Sequence, residues 1–300
     1  MTAPRHTLDQ LLVLEAIDRT GSFAGAAREL HRVPSAVSYA IKALEEAAGV
    51  ELFDRSGHRA VLTAAGRRLL EEGRRVLAAG RRFDRLADEL QDGWEPRLEV
   101  VVDGALPTEP VMAALAAFVA RGLPTRVQVH VEYQGGVWEQ FDALSADLAL
   151  PLEDAESRPE PCERLPDLPF AVLAAPGHPL AGRPLERAEL AEHVELVVKD
   201  SSAEFARKPR DAWFGSRHGV HLSDFHAKRL ALLQGAGYGW MPLHLVAADL
   251  DAGRLVRLSL GDSGAWTYRP HLVRRGGAGL GPAGELFGSL LRDAFGTSTE

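Results

Sequence analysis

Residues 21–49 read GSFAGAARELHRVPSAVSYAIKALEEAAG. The stretch predicts two short helices joined by a tight turn. Ser22 is placed to cap the first, Phe23–Leu30, because a serine oxygen accepts the free N–H groups of a first turn. The interior of that helix is small (Ala24, Gly25, Ala26, Ala27), so another helix can cross it closely. The break falls at His31-Arg32-Val33. Pro34 suits the first position of a new helix, and Gly49 suits a left-handed stop after Ala48.

The second helix has two faces. Val37, Ile41, Leu44 and Ala48 recur at helical spacing and form one apolar stripe. Ser35, Ser38, Tyr39 and Lys42 lie opposite. Hydroxyls and a cation early on a short helix suit base edges and phosphates in a major groove. An ordinary amphipathic helix with a solvated face has the same pattern, and this segment alone does not separate the two.

The following residues do. Glu51-Leu52-Phe53-Asp54-Arg55 and Ala60-Val61-Leu62-Thr63 flank Ser56-Gly57-His58-Arg59, which reads as a hairpin with a cationic tip. A hairpin directly after a helix-turn-helix makes a winged helix. In this order, Leu8-Asp9-Gln10-Leu11, Gly21-Ser22-Phe23, Ala26-Ala27, Ser38, Ile41-Lys42-Ala43-Leu44-Glu45, Gly49 to Arg55, and Leu62-Thr63-Ala64-Ala65-Gly66 resemble the DNA-binding domain of the LysR-type transcriptional regulators. The resemblance covers residues 7–66. It departs from many members at Val33-Pro34-Ser35 and at Tyr39. A subgroup shares Pro-Ser-Ala-Val-Ser-Tyr. The docking mode is therefore expected to carry over, and the operator sequence is not. Expected DNA contacts are Arg32, Ser35, Ser38, Tyr39 and Lys42, with Arg55, His58 and Arg59 on the wing.

The 300 residues carry a net charge of −8, which is unexpected for a DNA binder until the chain is divided. Residues 1–92 hold 14 Lys+Arg and 14 Asp+Glu, so the excess acid lies entirely beyond them. Cations such as Arg28, Arg32 and Lys42 cluster locally, which is what phosphate binding needs. The single cysteine, Cys162, excludes an intrachain disulfide and a multi-cysteine zinc site. Without a leader-like or long apolar stretch, the protein is expected in the cytoplasm, with no membrane association.

Residues 64–91 predict a long helix capped by Thr63. Leu69, Val76, Phe83 and Leu90 recur every seven residues, as do Gly66, Gly73, Gly80 and Ala87. Glycine costs a helix interior about 1 kcal/mol relative to alanine, so a regular row of them implies close packing. The expected partner is a second copy of the helix, although a helix lying on its own domain has the same pattern.

Gly93-Trp94-Glu95-Pro96 ends that helix. Beyond it, short apolar strands alternate with helices, which predicts a mostly parallel sheet with helices on both faces. The fold class is an α+β winged helix-turn-helix (6–63), a linker and dimerisation helix (64–92), and an α/β two-lobed domain (93–300). That last domain resembles the effector domain of the same family, itself similar to periplasmic solute-binding proteins. Lobe one is assigned to about 97–160 and 270–300, lobe two to about 165–265, and the chain is expected to return to the first lobe near 265–275.

Ligands of open α/β sheets sit beyond the C-terminal strand ends. That rule selects Asp103, Thr108, Tyr133, Trp138, Lys199, Ser201, Ser202, Phe225, Lys228 and Trp240. A helix expected at 203–213 would favour an anion beside Ser201 and Ser202, and Trp138 a planar group. Each also has an ordinary reading, as a helix cap or as packing. Gly235–Gly239 follows a helix and precedes a strand, the reverse of a phosphate loop. His218, His221, Asp224 and His226 match no metal-ligand spacing, and no catalytic constellation stands out. The reading is a non-enzymatic, ligand-responsive transcription factor without cofactor. Its expected partners are promoter DNA, a small polar or anionic metabolite, RNA polymerase and further copies of itself, as a homodimer or homotetramer. The alternative, a solute-binding or enzymatic domain carrying a winged helix as scaffold, would need an export signal or a catalytic constellation.

Overall fold

The computed structural model describes residues 6–54, 61–202, 214, 216–260, 264–276 and 280–296, and for 85–92 the helical backbone alone. The chain forms two compact units, Met1–Leu86 and Ala87–Glu300.

In the first unit, helix α1 (Leu8–Thr20) opens with a capping box in which Thr7 and Gln10 satisfy each other's backbone N–H. Ser22 Oγ accepts from Gly25 N and starts α2 (Phe23–Glu29). Helix α3 (Pro34–Ala48) has Pro34 in its first turn and ends at Gly49 with φ 71°. Strands β1 (Phe53–Asp54) and β2 (Val61–Leu62) pair antiparallel as the base of the expected hairpin. The hairpin tip, with Arg55, His58 and Arg59, lies outside the described residues. Thr63 Oγ1 accepts from Gly66 N at 2.9 Å, and α4 (Ala64–Asp92) follows.

The core of this unit joins Val13, Leu14 and Ile17 of α1 to Ala26, Ala27, Val37, Ile41 and Leu44, with Leu52, Phe53, Leu70 and Leu77 closing it. Leu8 and Leu12 of α1 are exposed, whereas Leu11, Val13, Leu14, Ala16 and Ile17 are buried.

The second unit contains two sheets. Strands β3 (Arg97–Asp103), β4 (Arg126–Glu132) and β5 (Leu148–Leu150) are parallel, with helices α5 (Thr108–Val119) and α6 (Gly135–Leu144) between them in sequence. Strand β6 (Cys162–Arg164) then precedes the second sheet. That sheet holds β7 (Leu168–Ala174), β8 (Val194–Val198), β9 (His218–Leu222), β10 (Tyr238–Pro242), β11 (Val256–Arg257) and β12 (Ala265–Tyr268). Its helices are α7 (Arg187–Leu190), α8 (Phe225–Leu233) and α9 (Leu243–Asp251). Strand β13 (His271–Arg274) returns to the first sheet, and α10 (Pro282–Phe295) covers it. The helix expected at 203–213 lies outside the described residues.

Strand order is β4-β3-β5-β13-β6 in the first sheet and β11-β7-β10-β8-β9 in the second, with β12 beside β7. Both sheets are mixed rather than mostly parallel. The returning strand β13 runs against β5 and β6, and β7 runs against β10, β11 and β12. The return to the first lobe expected near 265–275 is made between two strands, β12 and β13, one in each sheet. Pro270, which has no N–H for a ladder, lies at the crossing, and its carbonyl accepts from Leu165 N at 2.8 Å, tying the two crossovers together.

The Gly93–Pro96 boundary does more than end a helix. Glu95 is buried, and its carboxylate accepts from Ala283 N at 2.8 Å and Gly284 N at 3.0 Å. It caps α10, whose own N-cap is Gly281 and offers no side chain.

Candidate DNA-reading face and effector cavity

Helix α3 buries Val37, Ala40, Ile41 and Leu44 and leaves Ser35, Ser38, Tyr39 and Lys42 exposed. Tyr39 is 75% exposed, so its ring is displayed and is not part of the core. Ala48, expected in the apolar stripe, is exposed at the helix end. Lys42 Nζ lies 3.9 Å from Glu46, a loose pair on the solvated face. Arg28 is also exposed. Arg32 is differently placed: its guanidinium grips Asp9 with two bonds, 2.8 and 2.5 Å. Those bonds hold the Asp9 carboxyl below the usual range, so Arg32 pins α1 to the helix turn and its charge is balanced.

The seven-residue seam of α4 divides in two. A Cβ on Gly66 would sit 2.2 Å from Leu52 O, one on Gly73 3.3 Å from Leu11 Cδ2, and one on Gly80 3.7 Å from Leu8 Cδ1. Gly66 and Gly73 thus face the helix's own unit closely, and a Cβ on Gly80 would make only ordinary contact with Leu8. The large row is different. Leu69 packs at the edge of the core, whereas Val76 is 40% and Phe83 72% exposed. Ala87 and Leu90 have no described side chains.

In the second unit a cavity of about 280 Å³ opens between the lobes. Its walls include Val102, Val111, Met112, Val129, Tyr133, Phe225 and Leu245, and its polar groups come from Asp103, Thr108, Asp224 and His226. A second cavity of about 20 Å³ shares Asp103, Tyr133 and Phe225, with Phe170, Val198 and Tyr268 beyond them. The Tyr133 and Phe225 rings meet edge-on, with centroids 5.9 Å apart.

Asp103 is the centre of this arrangement. It is 1% exposed and accepts from Ala105 N at 2.9 Å and Gln134 N at 2.8 Å. Burial pushes its carboxyl up to about 7 against those two bonds, and Asp200 and Glu153 add to the rise. Gln134 has φ 53° and ψ −119°, a conformation costly for a side-chain-bearing residue. Its N–H bond to Asp103 holds that strained turn. Tyr133 lies so close over the end of β3 that a Cβ on Gly104 would be 2.5 Å from its ring.

Not all expected ligand residues converge here. Asp103, Thr108, Tyr133 and Phe225 line the cavity; Trp138, Lys199, Ser201, Ser202, Lys228 and Trp240 do not. The Trp138 indole N–H donates to Glu153 O, and its ring lies under the Arg158 guanidinium at 4.5 Å, all within lobe one. Trp240 stacks on Phe214. Lys199 is exposed. Lys228 is buried in lobe two, where burial lowers its ammonium to about 7 and Glu195 partly counters the shift. Thr108 heads α5 without a side-chain cap bond.

Ser201 fastens the lobes. Its N–H donates to Tyr133 O at 3.2 Å, and its Oγ accepts from Tyr133 N at 2.9 Å. A Cβ on Gly136 would fall 1.8 Å from that oxygen, so the approach requires glycine there. Ser202 N donates to Asp200 Oδ1 at 2.8 Å. Among the described residues no group of His, Cys, Asp or Glu is placed to hold a metal ion, and no helix is long and apolar enough to cross a membrane.

A helix-turn-helix with a hairpin base, followed by two mixed α/β lobes around a cavity, defines a one-component regulator. Residues 8–67 match the bacterial regulatory helix-turn-helix family of lysR type, and residues 91–296 match the LysR substrate binding domain. The chain is 36% identical over 261 residues to the HTH-type transcriptional regulator YhaJ of Escherichia coli O157:H7, covering 83% of this chain and 84% of that protein. It is 30% identical over 290 residues to the RuBisCO operon transcriptional regulator of Allochromatium vinosum, 94% of each being covered. Among solved structures, ArgP from Mycobacterium tuberculosis aligns with TM-score 0.59 at 20% identity over 99% of this chain and 98% of that one. Full-length LysG from Corynebacterium glutamicum with bound effector Arg aligns with TM-score 0.52 at 20% identity over 96% and 98%. The protein belongs to the LysR family of transcriptional regulators: it has a DNA-binding helix-turn-helix and a C-terminal ligand-binding domain, and it is not an enzyme.

Proposed function

We propose that the chain regulates transcription in the cytoplasm as a dimer or higher oligomer. It reads promoter DNA with Ser35, Ser38, Tyr39 and Lys42 of α3, while Arg55, His58 and Arg59 contact the backbone from the wing. The observation that carries this reading is the α3 face: four polar or aromatic side chains are exposed opposite the buried Val37, Ala40, Ile41 and Leu44. Lys42 supplies phosphate affinity; Ser38 and Tyr39 supply base preference. The Pro34–Tyr39 sequence supports membership of the corresponding subgroup of the family. Contact with RNA polymerase would follow from promoter-bound geometry.

Val76 and Phe83 supply the self-association face, since burying two such side chains against a second copy offsets their exposure. A small molecule in the interlobe cavity regulates the dimer, with Ser201 and Tyr133 as the fastening that reports lobe closure. A ligand shifts such a regulator only through unequal affinity for its two arrangements. The test is a gel shift with the DNA upstream of the protein's own gene. Retardation by wild type, lost in Ser38→Ala/Tyr39→Ala, is expected; equal retardation of that duplex and an unrelated one would refute sequence-specific binding.

A further inference from the structure

The cavity walls also indicate what charge its ligand bears. Among the described residues no lysine or arginine lines either cavity. Lys199, just past β8, is exposed, and Lys228 is buried in lobe two, where Glu195 acts on it and its Nζ lies 5.8 Å from the Phe225 ring centroid without lining either cavity. The ionisable groups that do line the larger cavity are Asp103, Asp224 and, at an exposed position, His226. The remaining wall is mostly aliphatic, with the Tyr133 and Phe225 rings.

We infer that the effector is an organic cation, a primary amine or amidine carried on an apolar body of single-ring size. The inference rests on the interlobe cavity being the effector site. An ammonium against the Asp103 and Asp224 side of the cavity gains charge-assisted bonds, where an anion would face carboxylates with no lysine or arginine among the described lining residues to offset them. Both carboxylates keep acceptor capacity. Asp103 uses one bond per oxygen for backbone N–H groups, and Asp224 accepts from Ala227 N and Ser223 Oγ while capping α8. The body of the ligand then covers Val111, Met112, Val129 and Leu245. The field is consistent: Tyr133 has its hydroxyl pushed up to about 12 by burial, with Asp224, Asp103 and Glu132 adding to it.

A pH signature follows. The charges that act on Asp103 are those of Asp200 and Glu153, and Asp103 in turn acts on the Tyr133 and Tyr268 hydroxyls. Without ligand its carboxyl titrates at about 7. A cation must displace that proton, so affinity falls by up to about tenfold per pH unit below 7 and levels off above it.

The test uses the full-length chain and three matched probes by calorimetry: phenethylamine, 2-phenylethanol and 3-phenylpropionate. Phenethylamine is expected to bind at least about tenfold more tightly than the alcohol, with the carboxylate weakest, and more tightly at pH 8 than at pH 6. Asp103→Asn should remove the amine preference. Because that change disturbs the Gln134 turn, Asp224→Asn, which keeps the helix cap, is the second variant and should reduce amine affinity while sparing the alcohol. Thr108→Trp fills the mouth and should abolish all three. Carboxylate binding at least as tight as amine binding, and lost in Thr108→Trp, would overturn the charge class and leave the cavity as the effector site. Amine binding that survives Thr108→Trp, or no binding by any probe, would overturn both.

Discussion

Phe83→Ser tests how the long helix associates. Phe83 is 72% exposed on α4, seven residues beyond the exposed Val76. Burying a phenylalanine against a partner contributes about 1.5–3 kcal/mol. A symmetric helix pair buries two, so the substitution should weaken the dimer by about 3–6 kcal/mol, roughly two to four powers of ten in dissociation constant. Sedimentation equilibrium across a concentration series reads this directly. Gly73→Leu is the informative control. A Cβ there already lies 3.3 Å from Leu11 Cδ2, so a leucine overpacks α4 against α1. Its expected effect is a loss of about 1–3 kcal/mol of stability in the N-terminal unit. If Phe83→Ser and Val76→Ser associate as wild type does while Gly73→Leu dissociates the protein without unfolding it, the division of the seam is wrong.

Three further outcomes follow from the ligand-binding domain. Trp138→Ala should cost about 2 kcal/mol, less than a fully buried tryptophan, and leave effector affinity unchanged by calorimetry, because Trp138 lies outside the cavity. Glu95→Ala should lower stability by about 2–4 kcal/mol in urea melts, since two buried N–H groups of α10 lose their acceptor. Asp103 binds more protons folded than unfolded between its ordinary 3.8 and about 7, so ligand-free stability should fall as pH rises from 5 to 7.5. Glu195, pushed up to about 7 by burial, acts in the same direction. The melting temperature across that range should flatten in Asp103→Asn; an unchanged slope would mean that Asp103 is ionised in the fold.

The DNA-reading half was legible because its signals are local. Ser22 through its hydroxyl, and Pro34 and Gly49 through their backbone preferences, each specify a helix terminus, and the structure begins or ends the helices there. The glycine row of α4 announced a close approach without saying whose. Nothing in a seven-residue repeat distinguishes Leu11 of the same unit from a second helix. In the α/β part, the alternation of strands and helices was legible and strand direction was not, because direction is set by which sheet a returning strand joins. Pro270 was the available sign of a break between β12 and β13. The cavity was half legible. Strand ends pointed to Asp103, Thr108, Tyr133 and Phe225, but the rule cannot tell a side chain that turns into the cleft from one, such as Lys228 or Trp138, that turns into its own lobe. Glu95 and the Gln134 turn were out of reach, since their partners are distant in sequence: Glu95 and Ala283 are 188 residues apart.

The most direct test of the DNA-binding assignment is the salt dependence of operator affinity. Fluorescence anisotropy of a labelled upstream duplex, from low to physiological salt, should give a linear log–log plot. Lys42→Ala should reduce its slope by roughly 1 and weaken operator and unrelated DNA alike. Tyr39→Ala should leave the slope and narrow the preference for operator. A Lys42→Ala protein with wild-type affinity and slope on both duplexes would contradict the account of α3 as the recognition helix.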